Sequence, residues 1–145
     1  MIIMAVDSGK VRTGIAVSDV GENFAFPKPV IHERNEERLI EKLVNCATEY
    51  GAGLIVLGLP KNMNGSLGPR AEECRVLAEQ LTEKSGTQVI LWDERCTTVS
   101  AHAALNDTGL HGRGRKQVID AVAAVIILES YLSYRKNHRD GESSL

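Results

Sequence analysis

The sequence predicts an α/β domain built on one mixed five-stranded sheet flanked by helices, in the order β-β-β-α-β-α-β-α-α. Three observations carry that expectation. Short apolar stretches joined by tight turns fill the first thirty residues. Two continuous apolar runs, Leu54-Ile55-Val56-Leu57 and Val89-Ile90-Leu91-Trp92, come later. Segments with apolar residues at three-and-four spacing surround those runs. Strands joined by short turns pair antiparallel, whereas strands joined through a helix lie parallel, so both kinds of pairing belong in one sheet.

Each element has its own signal. Ile2-Ile3-Met4-Ala5-Val6-Asp7 reads as a buried strand, and Thr13-Gly14-Ile15-Ala16-Val17-Ser18 as a second. Residues 8–12 are too short for anything but a hairpin between them. A third strand falls over residues 25–32. There Pro27 and Pro29 favour a sheet edge, because proline has no N–H to give a neighbouring strand.

Asn35 offers an N-cap, and Leu39, Ile40, Leu43, Val44 and Ala47 form an apolar stripe that Gly51 terminates. Residues 54–57 suit a parallel strand covered on both faces. Pro69 fits the first turn of a second helix with an inner stripe of Cys74, Leu77, Ala78 and Leu81, stopped at Gly86. Residues 89–92 make the fifth strand. Thr98 caps a third helix through Asp107, which Gly109 stops. A basic, glycine-rich turn over residues 111–116 leads into a long last helix ending near Arg135. Residues 1–136 are expected to form the single domain and residues 137–145 a polar, flexible tail.

Bulk properties exclude several classes. At 145 residues the chain is long enough for one core, and its 43% apolar and 25% charged residues are ordinary for a globular protein. A net charge of −2 does not favour a nonspecific nucleic-acid coat, so such binding must rest on local basic clusters. Cys46, Cys74 and Cys96 are widely spaced and odd in number, which fits buried thiols in a reducing compartment better than a zinc site. No apolar run approaches the ~20 residues that cross a bilayer, and the start of the chain shows no secretory signal pattern. A cytoplasmic protein with no membrane association is expected.

Three acidic positions stand at the edges of apolar runs. Asp7 closes the first strand, Asp93-Glu94 closes the fifth, and Asp120 interrupts Val118 to Leu128 in the last helix. Carboxylates in such places cost several kcal/mol, roughly, unless something positive compensates. A divalent cation is suitable, since hard cations take oxygen ligands, and ligand sites in α/β sheets form beyond the carboxyl ends of strands. The competing explanations differ by residue. Asp7 precedes Ser8-Gly9 and could simply start a turn. Alternation sends Asp93 and Glu94 to opposite faces, so at most one aims at a shared site. For Asp120 the alternative is a surface pair with Lys116, worth only about 0.3–0.5 kcal/mol. Its apolar surroundings favour the metal.

Cations and flexible loops flank these acids. Lys10 and Arg12 ride on the first hairpin loop beside Asp7. Lys61 and Asn62 open the loop that delivers Arg70 into a helix N-terminus, where exposed amides can hold a phosphate. Taken by itself, that loop is better explained as an ordinary helix-initiating turn. Arg115 and Lys116 belong to the basic turn before Asp120. With aromatic residues at 4%, stacking platforms are sparse, so backbone contact with a folded or duplex nucleic acid is the expected mode.

These residues resemble the YqgF (RuvX) family of ribonuclease H-fold nucleases and Holliday-junction-resolvase-like enzymes. The likeness spans about residues 2–135. It runs through Asp7-Ser8-Gly9-Lys10-Val11-Arg12-Thr13-Gly14, Ala16-Val17-Ser18-Asp19, Gly58-Leu59-Pro60-Lys61-Asn62-Met63-Asn64-Gly65-Ser66 and Gly68-Pro69-Arg70-Ala71-Glu72. It continues through Asp93-Glu94-Arg95-Cys96-Thr97-Thr98 and Lys116-Gln117-Val118-Ile119-Asp120-Ala121-Val122-Ala123-Ala124. The resemblance implies a bacterial cytosolic protein that matures the 5′ end of precursor 16S ribosomal RNA; some members are described as resolving four-way DNA junctions. Its acidic positions fall on Asp7, Glu94 and Asp120, and the choice of Glu94 over Asp93 rests on the resemblance. Ser8, Cys96 and the glycine-rich turn before Lys116 depart from the family's usual residues.

The expected function is therefore a Mg²⁺- or Mn²⁺-dependent phosphodiesterase with Asp7, Glu94 and Asp120 as catalytic metal ligands. Lys10, Arg12, Lys61, Asn62, Arg70, Arg95, Arg115 and Lys116 are the candidates for holding the nucleic-acid backbone. The partner is a precursor ribosomal RNA, within a ribosomal precursor particle, or a branched DNA, met by a monomer or a homodimer. Two other classes stay open. One is a noncatalytic nucleic-acid-binding or ribosome-assembly module. The other is a fragment of an actin-like ATPase, since Asp7-x-Gly9 followed by Gly14 also resembles the first phosphate loop of those proteins.

Overall fold

A computed structural model describes residues 1–60, 68–93 and 112–143, without the side chains of 112–121 and 139–143. In chain order the elements are β1 (Ile2–Ser8), β2 (Arg12–Ser18), β3 (Ala25–His32), α1 (Glu36–Tyr50), β4 (Ala52–Leu59), α2 (Pro69–Ser85), β5 (Val89–Asp93) and α3 (Gly112–Ser143). The expected third helix, over residues 98–107, lies outside the described residues. Sheet order is β3-β2-β1-β4-β5. β1, β2 and β3 pair antiparallel, and β1, β4 and β5 pair parallel, so β1 is the central strand where the two modes meet. The proline-bearing β3 is an edge, as its missing N–H groups require.

Helices cover the sheet on both sides, which is why β1 and β4 read as unbroken apolar runs. On one face Met4, Val6, Ile15, Val17, Ile55 and Leu57 pack with Leu39, Ile40 and Leu43 of α1 and Cys74, Leu77 and Leu81 of α2. On the other, Ile3, Ala5, Ala16, Leu54 and Val56 meet Ala124, Ile127, Leu128, Tyr131 and Leu132 of α3. Each fully buried Leu or Ile contributes about 1.5–3 kcal/mol, so these layers set the register of every strand.

The helix ends follow the sequence signals. The Asn35 side chain accepts the Arg38 N–H at 3.0 Å. At the other end of α1, Gly51 takes φ 71° and donates to the carbonyls of Ala47 and Thr48. Pro69 occupies the start of α2, and Gly86 (φ 69°) closes it on Thr82.

The last helix departs from expectation. It starts at Gly112, so the segment Gly112-Arg113-Gly114-Arg115-Lys116 is helical rather than a turn. Each glycine costs a helix about 1 kcal/mol, a small sum beside the burial of the apolar stripe further along α3. The helix also continues to Ser143, past Arg135. There the His138 ring lies 3.8 Å from that of Tyr134, and its Nδ1 stands 2.8 Å from the Tyr134 carbonyl oxygen.

Two contacts tie distant parts of this frame. In the β2–β3 turn, the Asp19 carboxylate accepts the N–H groups of Asn23 and Phe24, both at 2.8 Å. Glu22 follows in a left-handed conformation (φ 60°). Its buried carboxylate accepts from Arg135 Nε and, at 3.1 Å, from the Met1 amine. This clamps α3 to the sheet. Burial pushes the Glu22 carboxyl up, but the bonds from Arg135 and the amine outweigh it and hold the group below its ordinary 4.5. On the opposite face, the Arg70 guanidinium donates to the Ser8 carbonyl and, at 3.0 Å, to Glu73. That pins the start of α2 to the end of β1.

Glu22→Gln is expected to lose about 1–3 kcal/mol in urea unfolding at neutral pH, because Arg135 keeps a charge without its counter-ion. The ion-paired contribution is complete above the ordinary carboxylate value and disappears as pH falls through the lowered native one. The stability gap between wild type and variant therefore closes in acid; a gap that stays constant down to pH 2 would count against the pair. Arg70→Ala is expected to cost about 1 kcal/mol more than Arg75→Ala in the same assay. Arg75 makes only an exposed 3.2 Å pair with Glu72, whereas Arg70 also satisfies a backbone carbonyl.

Candidate functional site

Strand alternation places Asp7 on the face of Ile3 and Ala5, which is the α3 face. It stands half-buried at the carboxyl end of the central strand. Directly across from it in β2 is Gly14. On the other side, one step beyond the Val6–Leu57 pair, Asp7 falls level with Gly58 of β4, and Gly58 pairs with Trp92 of β5. The row across the sheet is thus Gly14, Asp7, Gly58, Trp92. Neither neighbour of Asp7 contributes a side chain, so the carboxylate is the only functional group in the middle of the row.

Trp92 closes the row. Its Nε1 donates to Ser130 Oγ at 3.2 Å, and its ring packs edge-on against Tyr131 and Tyr134 with centroids 5.3 and 5.2 Å away. These contacts fix the end of β5 against α3. Asp93, one residue on, belongs to the face of Val89 and Leu91, the side of α1 and α2. It does not share a face with Asp7.

Glu94, Arg95, Lys61 and Asn62 lie outside the described residues. For Arg115, Lys116 and Asp120 only the helical backbone is described. Asp120 stands more than two turns into α3, not one, because the helix begins earlier than the sequence suggests. It precedes Ala124 by four residues and Ile127 by seven, the spacing of the stripe that meets the sheet. Among the described residues no three acidic, histidine or cysteine side chains gather where they could hold a metal ion.

Of the candidate cations, Lys10, Arg12 and Arg70 lie around the β1–β2 turn. The turn is closed tightly: a Cβ on Gly9 would sit 2.3 Å from the Arg12 carbonyl oxygen, so only glycine fits. A cleft of about 370 Å³ between this turn and the starts of α1 and α2 is bordered by Lys10 and Arg70. Sequence reasoning missed Arg34, which borders the same cleft. The missing signal was register: Arg12 pairs with His32, and the Glu33 N–H donates to the Val11 carbonyl at 2.8 Å, bringing the β3–α1 connection against the hairpin.

Comparison with known proteins bears on the family and the fold. The family model described as "RuvX: Holliday junction resolvase" matches residues 1–134. A relative from Thermoanaerobacter pseudethanolicus, named "Putative pre-16S rRNA nuclease", is 41% identical over 138 residues, covering 94% of this chain and 99% of its own. One of the same name from Desulfitobacterium hafniense is 42% identical over 144 residues, 98% of this chain and 100% of its own. Among solved structures, RuvC of T. thermophilus in complex with a Holliday junction substrate superposes with a TM-score of 0.60 at 12% identity, covering 94% of this chain and 96% of that one. The fowlpox virus resolvase with its junction DNA gives 0.59 at 14% identity, covering 92% and 98%. At such low identity these two establish the ribonuclease H-like fold, while the family match and the near full-length relatives establish descent: the chain belongs to the RuvX family.

Proposed function

We propose that this protein is a metal-dependent nuclease that hydrolyses phosphodiester bonds in structured nucleic acid, its reaction the 5′-end processing of precursor 16S ribosomal RNA. The observation that carries the reading is the place of Asp7: a carboxylate at the carboxyl end of the central strand, between two glycines, on the face covered by α3. Its catalytic partners are Glu94 and Asp120. Asp93 belongs to the other face, which supports Glu94 as the second carboxylate. Asp120 lies on the same helical stripe as Ala124 and Ile127, which supports its convergence on the Asp7 face.

Three carboxylates of this kind fit a hard divalent cation, Mg²⁺ or Mn²⁺, and would hold it through oxygen alone. Such ions, when bound, supply activation of water and stabilisation of the leaving oxygen. The protein's own contribution is positioning. Asp7 is fixed by the paired backbone of β1, and the open row beside it leaves room for a backbone phosphate. Lys10, Arg12, Lys61, Asn62, Arg70, Arg95, Arg115 and Lys116 hold the flanking backbone. Arg70 does so with only part of its guanidinium, since the rest is committed to Ser8 and Glu73.

The names of the near full-length relatives favour ribosomal RNA. The description of the family favours a second reading, resolution of four-way DNA junctions. No described helix is long and apolar enough to cross a membrane, and the proposed reaction is a cytoplasmic one.

Asp7→Asn is expected to abolish Mn²⁺-dependent cleavage while leaving the urea midpoint within about 0.5 kcal/mol of wild type. A variant that cuts at the wild-type rate under matched metal removes Asp7 from the mechanism. Side by side with purified protein and Mn²⁺, precursor 16S ribosomal RNA should be cut at its 5′ extension and a four-way junction left intact. The reverse outcome replaces the first reading with the second, and cleavage of neither under any metal leaves a noncatalytic binding module.

A further inference from the structure

We propose that the groove between the β2–β3 turn and α3 is the interface of a two-fold homodimer, in which Glu129 of one copy meets Lys136 of the other. The inference goes beyond the nuclease reading and does not depend on it. The groove measures about 450 Å³ and lies between residues 129–136 of α3 and the start of β3, where Phe24 and Phe26 form its wall. These are the only two phenylalanines of the chain, and they stand 65% and 49% exposed. A single exposed ring is ordinary. Two at the wall of one groove, with charged residues at its rim, are the signature of a surface that a partner covers.

The turn presents these rings on a fixed backbone. The Asp19 carboxylate accepts the N–H groups of Asn23 and of Phe24 itself, both at 2.8 Å, and Glu22 beside them is tied to Arg135 of α3. Both walls of the groove are therefore set before a partner arrives, which lowers the ordering cost of association. Leu132 forms a buried floor. Ser133 next to it is small and exposed, so another helix can approach closely there.

The charges along α3 point to a second copy as the occupant. Glu129 and Lys136 are seven residues apart, hence on one face of the helix, with Leu132 and Ser133 midway between them. Both are exposed, and neither has an ion-pair partner among the described residues. When two copies of α3 cross antiparallel about an axis at residues 132–133, Glu129 comes level with the partner's Lys136 and Lys136 with the partner's Glu129. A two-fold contact must be self-complementary, and opposite charges at equal distances from its centre satisfy that condition. Phe24 and Phe26 lose their exposure in the same contact. An added β-strand fits the groove less well, because Pro27 and Pro29 of β3 have no N–H to give it.

Sedimentation equilibrium of the full chain, over about two decades of concentration up to roughly 200 µM, tests the interface. Wild type is expected to pass from monomer to dimer within that range. Glu129→Lys and Lys136→Glu each set like charges against one another twice, and each should weaken the dimer by about tenfold or more. Combining the two exchanges the charges and should bring association back to within about threefold of wild type. Phe24→Ser should weaken it by about tenfold with an unchanged circular dichroism spectrum, since the ring is exposed in the monomer. Glu83→Lys, the same charge reversal on an exposed stretch of α2, should associate as wild type does. If a charge reversal disturbs the spectrum, Phe24→Ser carries the test. A wild type that stays monomeric throughout hands the groove to some other partner and overturns the dimer. Wild-type association in the single variants, an equal loss in Glu83→Lys, or a double variant as weak as its parents overturns it too.

Discussion

Burial of β1 on both faces is the constraint on which the rest of the structure depends. Met4 and Val6 go to the α1 and α2 layer, and Ile3 and Ala5 to the α3 layer. A strand apolar in both directions can satisfy its backbone only with a neighbour on each side. The hairpin supplies β2 on one edge and the α1 crossover supplies β4 on the other. The point where antiparallel pairing gives way to parallel pairing is therefore β1 itself. Its carboxyl end opens where the flanking connections diverge, the usual place for a ligand in sheets of this kind.

That position explains the character of Asp7. A one-residue slip of β1 would send the carboxylate to the other face and expel Ile3 and Ala5 from the core. Holding the register thus also holds the carboxylate in place. The two glycines beside it serve the same end, since any side chain at Gly14 or Gly58 would share its row. The cations follow a different logic. They sit on the hairpin tip and at helix starts, where solvent reduces their mutual repulsion.

The two ends of the domain are secured by dissimilar means. At the end near Asp7, Arg70 reaches the Ser8 carbonyl and couples the start of α2 to the end of β1. At the other, Glu22 joins Arg135 and draws α3 onto the β2–β3 turn. α3 is also the helix that carries Asp120, so the Glu22 clamp bears on where the backbone of that residue is placed. A change there alters stability and geometry together.

The sequence by itself determined the order of elements along the chain, the hairpin, the edge position of the proline-bearing strand, the caps at Asn35, Gly51 and Gly86 and the start of α2 at Pro69. These depend on local rules: turn length, missing donors, left-handed glycines and apolar spacing. It also singled out Asp7, because a carboxylate closing a buried run is anomalous on local grounds. Only the tertiary structure decided that Asp7 is flanked by Gly14 and Gly58, that Asp93 belongs to the opposite face, and that Arg34 stands beside Lys10. Each of those facts is a matter of register between segments far apart in the chain, and a linear pattern does not encode which residues become opposite. The start of α3 at Gly112 has the same cause. Glycines that end a helix in isolation are tolerated when the rest of the helix is buried against a sheet.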